Sequence, residues 1–290
     1  MKALGTLAVT GALLAWALSR VDRAGLEATL SGLRWPWLVA AASLGPLQVG
    51  LAALRWRRVS LTLELPLSAR QAFGEQYLAT LVNQLVPSGI AGEGLRIYRH
   101  GKRSQAMRAA LHAAVVERFS GHLLLCGLCA LLLIPLWGVA PAGMVPAVLG
   151  LVAVAALGLL APAGLPAVGP FARDARRSLL RAQAWPIWGI SALLLASFVG
   201  GLVLCLLALG LPLSTSLVGA MPMLLLAMSV PLSVGGWGLR EATATLLLPA
   251  LGLAQEAALA LSITYGLSVL LGALPGALVP LLRAEPGAPA

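Results

Sequence analysis

Two short stretches, VPSGIAGEGLR at Val86–Arg96 and VPLSVGGWGLR at Val230–Arg240, share the pattern V-P-x-x-x-x-G-x-G-L-R in a chain of 290 residues. One copy lies in each half, and an apolar run precedes each of them. Proline removes a backbone hydrogen-bond donor, and glycine permits turns and close backbone approaches that other residues resist. The pattern therefore predicts two helices broken at equivalent points, with residues 87–94 and 231–238 unwound.

The composition places these breaks in a membrane protein. Hydrophobic residues make up 59% of the chain and charged residues 10%, far from the averages of soluble domains. The apolar runs do not alternate with polar residues, so they predict helices rather than barrel strands. We expect an all-α fold, a polytopic helical membrane bundle, formed by one integral membrane domain over residues 1–282. Its halves cover about 1–145 and 146–282, and we expect residues 283–290 to be a disordered tail.

The distribution of basic residues predicts the topology. Lysines and arginines concentrate in residues 55–70, 96–108 and 173–181, and such clusters mark cytoplasmic loops. The net charge of +10 therefore indicates membrane topology rather than a nucleic-acid partner. Because basic clusters flank the first broken segment, Gln71–Leu95, it should enter and leave the membrane on the cytoplasmic face as a re-entrant helix. The second, which begins with Ser214–Val230, should be entered from outside, and this makes the halves an inverted repeat.

The other apolar runs are predicted to span the membrane, with a cytoplasmic N-terminus. In the first run, Ala3–Ser19, the stretch Ala15-Trp16-Ala17 resembles a signal-peptidase site, but we favour an uncleaved span because the run is longer than a usual signal peptide core. A short outer loop leads to the second span, Trp35–Leu54, which Arg55-Trp56-Arg57-Arg58 closes on the inside. Further spans are predicted at Ala109–Trp137, Met144–Ala161, Ile187–Leu209 and Ala257–Leu282.

Charged residues in the broken segments are the main functional candidates. A helix that restarts after a break presents free N–H groups and a partial positive charge, which suit an anion such as a phosphate. Arg96 and Arg240 add full charges there, and a guanidinium can bind a phosphodiester through two hydrogen bonds. Glu93 and Glu241 lie beside them and can neutralise them when no substrate is bound. Matching proline- and glycine-interrupted segments are the best sequence indicator of a transporter site.

Glu117 and Arg118 form a further charged pair within an apolar run. Adjacent helical residues point about 100° apart, so we expect them to bind different partners and not each other. The alternative is a pair near the membrane surface whose long side chains reach water. The sequence shows no metal-binding or catalytic arrangement, so we expect no metal, no cofactor and no enzymatic activity. We interpret the three cysteines, Cys126, Cys129 and Cys205, as small buried side chains.

These motifs resemble those of the lysylphosphatidylglycerol synthase transmembrane-region family, which includes the flippase domain of the multiple peptide resistance factor. The family's signatures are matched, in order, by Asn83, Pro87, Gly92, Glu93 and Arg96, by Glu117 and Arg118, and by Pro231, Gly235, Gly236, Gly238, Arg240 and Glu241. The family often has an acid three residues after the Glu-Arg pair, where this chain has Gly121. The resemblance covers nearly the whole chain. It implies a bundle in the plasma (inner) membrane that moves or houses lipids, with the matched residues as its substrate-binding set, and it does not imply aminoacyl transfer.

The sequence favours a lipid translocase that uses no nucleotide, since a nucleotide-binding motif is absent. An anionic or lipid-linked head group would enter a cavity between the breaks and be held by Arg96 and Arg240, while Glu93 and Glu241 release those arginines. The alternative is a module that does not transport but presents a membrane lipid to a separate glycosyl- or aminoacyl-transferase. An intramembrane enzyme would need a nucleophile or metal set that is not visible, and small-solute transport would need a cavity closed to lipid.

Overall fold

The computed structural model describes residues 2–86, 91–133, 168–229 and 234–280, with the isolated residues 150, 153 and 162. Over these residues the fold is all-α and contains no strand, which confirms the predicted fold class. The helices are α1 (Lys2–Ser19), α2 (Arg23–Ser31), α3 (Trp35–Thr62), α4 (Ala69–Leu85), α5 (Ala91–Ser104), α6 (Met107–Leu133), α7 (Gly169–Leu179), α8 (Trp185–Ala208), α9 (Thr215–Ser229), α10 (Leu239–Leu247) and α11 (Gln255–Ala273). Short 3-10 helices lie at Ala182–Ala184, Pro249–Leu251 and Leu274–Leu278.

Four of the described helices are long and apolar enough to cross a membrane, so the chain is a polytopic integral membrane protein. They are α3 and the stretches Met107–Leu132, Ala182–Ala208 and Gln255–Leu278. A bend of 95° joins α1 to α2, and this pair would make a fifth crossing if it acted as one span. The short outer loop predicted after α1 therefore contains a helix. The predicted span Met144–Ala161 and the predicted tail 283–290 lie outside the described residues.

Helix α3 continues two turns past its predicted end. We expected the span to stop at Leu54, with Arg55 among the basic residues at the membrane surface, but the helix runs to Thr62. The side chains of Arg55 and Trp56 are buried inside the bundle. The prediction was wrong because a positive charge was taken to mark the boundary with water, whereas Arg55 has a buried counter-charge.

The two predicted breaks separate α4 from α5 and α9 from α10. In the second break, Gly235, Gly236 and Gly238 have φ angles of 54°, 85° and 92°, in the left-handed region that glycine adopts without strain. The first break is shorter than predicted, because α5 already begins at Ala91 and Gly92 is helical. Pro87 and Pro231, the two predicted helix-breaking prolines, lie outside the described residues.

The packing partners of the helices repeat between the two halves. In the first half, α3 packs against α4, α4 against α5, α5 against α6, and α6 against α3. In the second half, α8 packs against α9, α9 against α10, α10 against α11, and α11 against α8, which is the same pattern. The contacts between the halves are also equivalent. Helix α6 packs against the first two helices of the other set, α8 and α9, and α11 packs against α3 and α4. Two similar units therefore face each other, with α3 and α8 in contact between them.

Glycines permit the closest of these helix contacts. A Cβ atom at Gly45 of α3 would lie 2.6 Å from Cα of Gly272 in α11, and one at Gly92 of α5 would lie 2.7 Å from Cα of Ala79 in α4. Real Cβ atoms do not come so close to a neighbouring backbone, so both contacts require glycine. Small residues of this kind let membrane helices approach each other and pack tightly.

Candidate functional site

A cavity of about 350 Å³ lies between the two halves. Residues of α3, α4, α5, α6, α8, α9 and α11 line it, together with glycines of the second break. Four charged side chains belong to this lining: Arg55, Glu93, Glu117 and Arg118. Charged groups are costly within a membrane and usually mark a functional position, so these residues define the candidate site.

Glu117 of α6 joins two arginines from different helices. Its Oε1 atom accepts hydrogen bonds from Nε and Nη2 of Arg55 at 2.8 and 2.5 Å, and its Oε2 atom accepts one from Nη2 of Arg96 at 3.1 Å. Arg55 also donates to Oγ of Ser191 on α8 at 3.1 Å, and Arg96 donates to Gln76 on α4. The three charged groups are buried. Ion pairs in such a place need complete hydrogen bonding to offset the loss of water, and these contacts supply much of it.

Arg118 pairs with Glu93 across the space between α6 and α5. Its Nη2 atom lies 2.5 Å from Oε1 of Glu93. The other carboxylate oxygen of Glu93 accepts a hydrogen bond from Nδ2 of Asn83 at 2.6 Å, and Oδ1 of Asn83 accepts one from the N–H of Gly92 at 2.8 Å. The Arg118 side chain is 40% exposed, whereas that of Glu93 is 11% exposed. Arg118 is therefore the most accessible charged group in the cavity lining.

Glu117 and Arg118 thus have different partners, as their neighbouring positions on a helix predicted. The expected pairing of Glu93 with Arg96 is wrong, because Glu93 binds Arg118 and Arg96 binds Glu117. Arg96 lies three residues after Glu93 on α5, but its guanidinium stacks on Trp56 of α3, with 4.4 Å between Cζ and the ring centroid. Contacts with α3 and α6, which the sequence of α5 does not reveal, decide the pairing.

The charged cluster around the cavity carries one positive charge in excess. Among the described residues, three arginines, Arg55, Arg96 and Arg118, are paired with two glutamates, Glu93 and Glu117. The polar side chains that complete the cluster, such as Gln76, Asn83 and Ser191, are neutral. Over the described residues the cluster as a whole therefore carries a net charge of +1.

The second break has its own buried ion pair. Nη2 of Arg240 lies 2.6 Å from Oε1 of Glu241, and Oγ of Ser262 is 2.8 Å from both Nε of Arg240 and Oε1 of Glu241. The remaining carboxylate oxygen of Glu241 accepts a hydrogen bond from the N–H of Gly238 at 2.5 Å, which caps the start of α10. This pairing of Arg240 with its neighbouring acid agrees with the expectation from the sequence.

Neither Arg96 nor Arg240 lines the cavity, although we expected both to hold a ligand directly. Each is 1% exposed and lies over a tryptophan ring, with 5.0 Å between Cζ of Arg240 and the centroid of Trp237. A cation over an aromatic face is stabilised even without water. One N–H group at the start of each restarted helix is also already bound, because those of Gly92 and Gly238 donate to Asn83 and Glu241. These residues therefore fix the walls of the site.

Glycines of the second break connect the two broken segments. Gly235 and Gly236 line the cavity. A Cβ atom at Gly235 would lie 2.8 Å from Oε1 of Gln84 and 3.6 Å from the backbone oxygen of Asn83, both at the end of α4. The residues around each break therefore meet beside the cavity, although they are far apart in the chain.

Sequence reasoning missed Arg55, because it begins a cluster of surface-like basic residues. A signal was present in Gly121, which lies one turn after Glu117 in α6. A Cβ atom there would lie 2.7 Å from Nη1 of Arg55, so the glycine leaves room for the guanidinium. In the second half, Gly266 of α11 leaves room for the guanidinium of Arg240, since a Cβ atom there would contact both Arg240 and the ring of Trp237. Glycines within long apolar helices next to charged motifs were the overlooked indication.

The described residues include no group of three or more His, Cys, Asp or Glu side chains that could hold a metal ion. The three cysteines are free thiols buried between helices. The charged and polar side chains that line the cavity can bind a polar group through ionic contacts and hydrogen bonds.

These features define a class: an integral α-helical membrane protein with a charged cavity at the meeting point of two interrupted segments. The Lysylphosphatidylglycerol synthase TM region family matches residues 3–276, and the chain belongs to this family of lipid-related, flippase-like membrane modules. Comparison with curated proteins and with solved structures gives no match to either.

Proposed function

We propose that the protein moves the anionic head group of a lipid, or of a lipid-linked compound, across the membrane through this cavity without nucleotide hydrolysis. The observation that carries the proposal is a cavity bordered by both interrupted segments, in which the accessible Arg118 belongs to a charged cluster with one arginine in excess. The membrane would be the plasma (inner) membrane, and the basic clusters favour a cytoplasmic N-terminus.

The cavity lowers the main barrier to head-group movement, which is the loss of water around a charge. Arg118 is the group best placed to meet a phosphate, because its side chain is accessible. A phosphate would replace Glu93 on Arg118, and Glu93 would keep its hydrogen bond from Asn83 during the exchange. Arg118 thus has a negatively charged partner before and after the exchange, while the acyl chains of the lipid stay in the bilayer.

The test is head-group movement in proteoliposomes, followed with fluorescent phosphatidylglycerol and phosphatidylcholine and an added quencher. Arg118→Gln should slow the movement of phosphatidylglycerol at least about tenfold, because a charge-assisted hydrogen bond to the phosphate is lost. Arg118→Lys should keep part of the activity. Arg23→Gln, an exposed arginine at the start of α2, is the matched control and should behave like the wild type.

Arg118→Gln should weaken lipid binding, whereas Glu93→Gln should strengthen it. Glu93→Gln removes the competing carboxylate and leaves Arg118 free for the ligand, so phosphatidylglycerol should be retained more strongly and released more slowly. Unchanged movement in both Arg118→Gln and Glu93→Gln would contradict translocation through this cavity. Retention of lipid without any movement in the wild type would instead favour a module that presents the lipid to a separate glycosyl- or aminoacyl-transferase.

A further inference from the structure

A second, larger depression lies on the surface, away from the central cavity. It has a volume of about 1100 Å³ and is formed by residues between 105 and 112, around the start of α6, and by residues between 170 and 181, in α7 and just after it. We call it the basic groove, because five arginines and one aspartate line it: Arg108, Arg173, Arg176, Arg177, Arg181 and Asp174.

Most of the positive charge in the basic groove has no counter-charge among the described residues. Asp174 already binds Nδ1 of His112 at 2.6 Å, and Arg177 binds Glu64 at 2.6 Å and lowers the pKa of that carboxyl group. Arg108, Arg173, Arg176 and Arg181 make no ion pair with any described residue. The sequence from 119 to 173 contains no Asp or Glu that could supply one.

The basic groove lies at the end of the bundle where α3 stops and α6 and α8 begin. One buried cluster at this end contains Val59 from the end of α3, Leu65 from the segment after it, Ala110 from α6, Ala175 from α7 and Ile187 from α8. Helices α3, α6 and α8 are membrane-span candidates. The basic groove, at the ends of these helices, therefore lies at the boundary between lipid and water. Its charge places it on the face that the positive-inside rule assigns to the cytoplasm.

Exposed apolar side chains lie in the basic groove and next to it in the chain. Met107 and Leu180 line the groove and are 45% and 59% exposed, and Trp185, four residues after Arg181, is 75% exposed. Exposed tryptophan is typical of the interface between head groups and acyl chains. A ligand that fits both features has a phosphate for the arginines and hydrocarbon chains beside the apolar residues, which a soluble anion does not have.

We propose that the basic groove binds the phosphate head group of an anionic phospholipid from the adjacent leaflet, at a site separate from the central cavity. Arginine clusters at this depth are suited to anionic head groups, and each guanidinium can form two hydrogen bonds to a phosphate. The first N–H groups of α6 add partial positive charge on the same side. This site needs no passage of the head group into the membrane, so it is independent of the proposed translocation.

The test is a lipid titration of the purified full-length protein in detergent, with bound lipids counted by native mass spectrometry. The lipids are dioleoyl phosphatidylglycerol and dioleoyl phosphatidylcholine, and glycerol 3-phosphate is added as a soluble competitor. The variant Arg173→Gln/Arg176→Gln/Arg181→Gln should lose one phosphatidylglycerol site. We expect a roughly fivefold loss of affinity for each arginine removed. The triple lysine variant should retain most of the binding.

The control variant Arg20→Gln/Arg23→Gln/Arg34→Gln removes the same charge at the opposite end of α3 and should bind like the wild type. Arg118→Gln affects the central cavity and should leave the basic-groove site occupied, so failure of one proposal is distinguishable from failure of the other. Equal affinity for phosphatidylcholine, or unchanged binding in the triple glutamine variant, would overturn the inference. Displacement of the lipid by glycerol 3-phosphate at similar concentration would also overturn it, since the site would then recognise free phosphates.

Discussion

At the scale of single residues, Glu117 is the acid on which the buried charges of the first half converge. It contacts Arg55 from α3 and Arg96 from α5, so one carboxylate holds three helices together. Removal of one member of a buried ionic group costs more than the group contributes, because the remaining charges lose their partner without regaining water. Positions of this kind respond strongly to changes that keep size and remove charge.

Glu117→Gln should lower the free energy of unfolding by about 3–5 kcal/mol, because two buried guanidiniums lose their counter-charge. Thermal unfolding of the detergent-solubilised protein measures the change. Glu27→Gln alters an exposed acid of α2 that has no hydrogen bond or ion pair among the described residues, and it should stay within about 0.5 kcal/mol of the wild type. A double variant Arg55→Met/Glu117→Gln that is no more stable than Glu117→Gln alone would contradict the importance of this charge imbalance.

Gly121→Ala should destabilise the protein by about 1–3 kcal/mol, because the added Cβ atom meets Nη1 of Arg55 and displaces it from Glu117. Gly127→Ala on the same helix is the matched control, since no atom lies within 4 Å of its added Cβ. The control should be neutral or stabilising, as alanine is the better helix former. Equal unfolding temperatures for the two variants would show that Arg55 can move without cost.

At the scale of helices, the first break depends on the contact between α4 and α5. Glu75 of α4 binds Arg99 and Arg103 of α5 at 3.4 and 3.0 Å, and Asn83 of α4 binds both Glu93 and the backbone of Gly92. Polar bonds at both ends of the contact thus fix α5 against α4. The absence of a side chain at Gly92 permits the distance at which these bonds form.

Gly92→Ala should weaken this helix pair by about 1–3 kcal/mol and shift Glu93 away from Arg118, because its Cβ atom would lie 2.7 Å from the backbone of Ala79. Gly94→Ala, two residues later on the same helix, adds a Cβ atom with no neighbour within 4 Å. For Gly92→Ala, the rate of lipid movement and the unfolding temperature should both fall. For Gly94→Ala, both should stay at their wild-type values. If both variants kept wild-type movement, close packing of α4 and α5 would not be required for the site.

At the scale of the whole molecule, the repeated packing pattern raises the question of how the two halves are oriented in the membrane. The halves use equivalent helices for equivalent contacts, and the cavity forms where they meet. Opposite orientation in the membrane would let one broken segment approach from each side. Such an arrangement gives a transporter two related paths to one central site.

Single cysteines at Lys102 and Ala254 test this orientation, since both positions are exposed and follow the first and second broken segments. The native cysteines are buried between helices and should react little. On intact cells, a membrane-impermeant maleimide should label Ala254→Cys, and it should label Lys102→Cys only after permeabilisation. Labelling of both positions from one side would contradict an inverted repeat.

The sequence by itself determined the helical membrane fold, the positions of both breaks and most of the charged residues that matter. Those are local properties: hydropathy decides what enters a membrane, and proline and glycine decide where a helix can stop. Only the tertiary structure decided that Glu93 binds Arg118, that Arg55 turns inwards, and that Arg96 and Arg240 support the cavity from outside its lining. These outcomes depend on which helices pack together, because a buried charge takes the counter-charge that packing brings near it, whatever its distance along the chain.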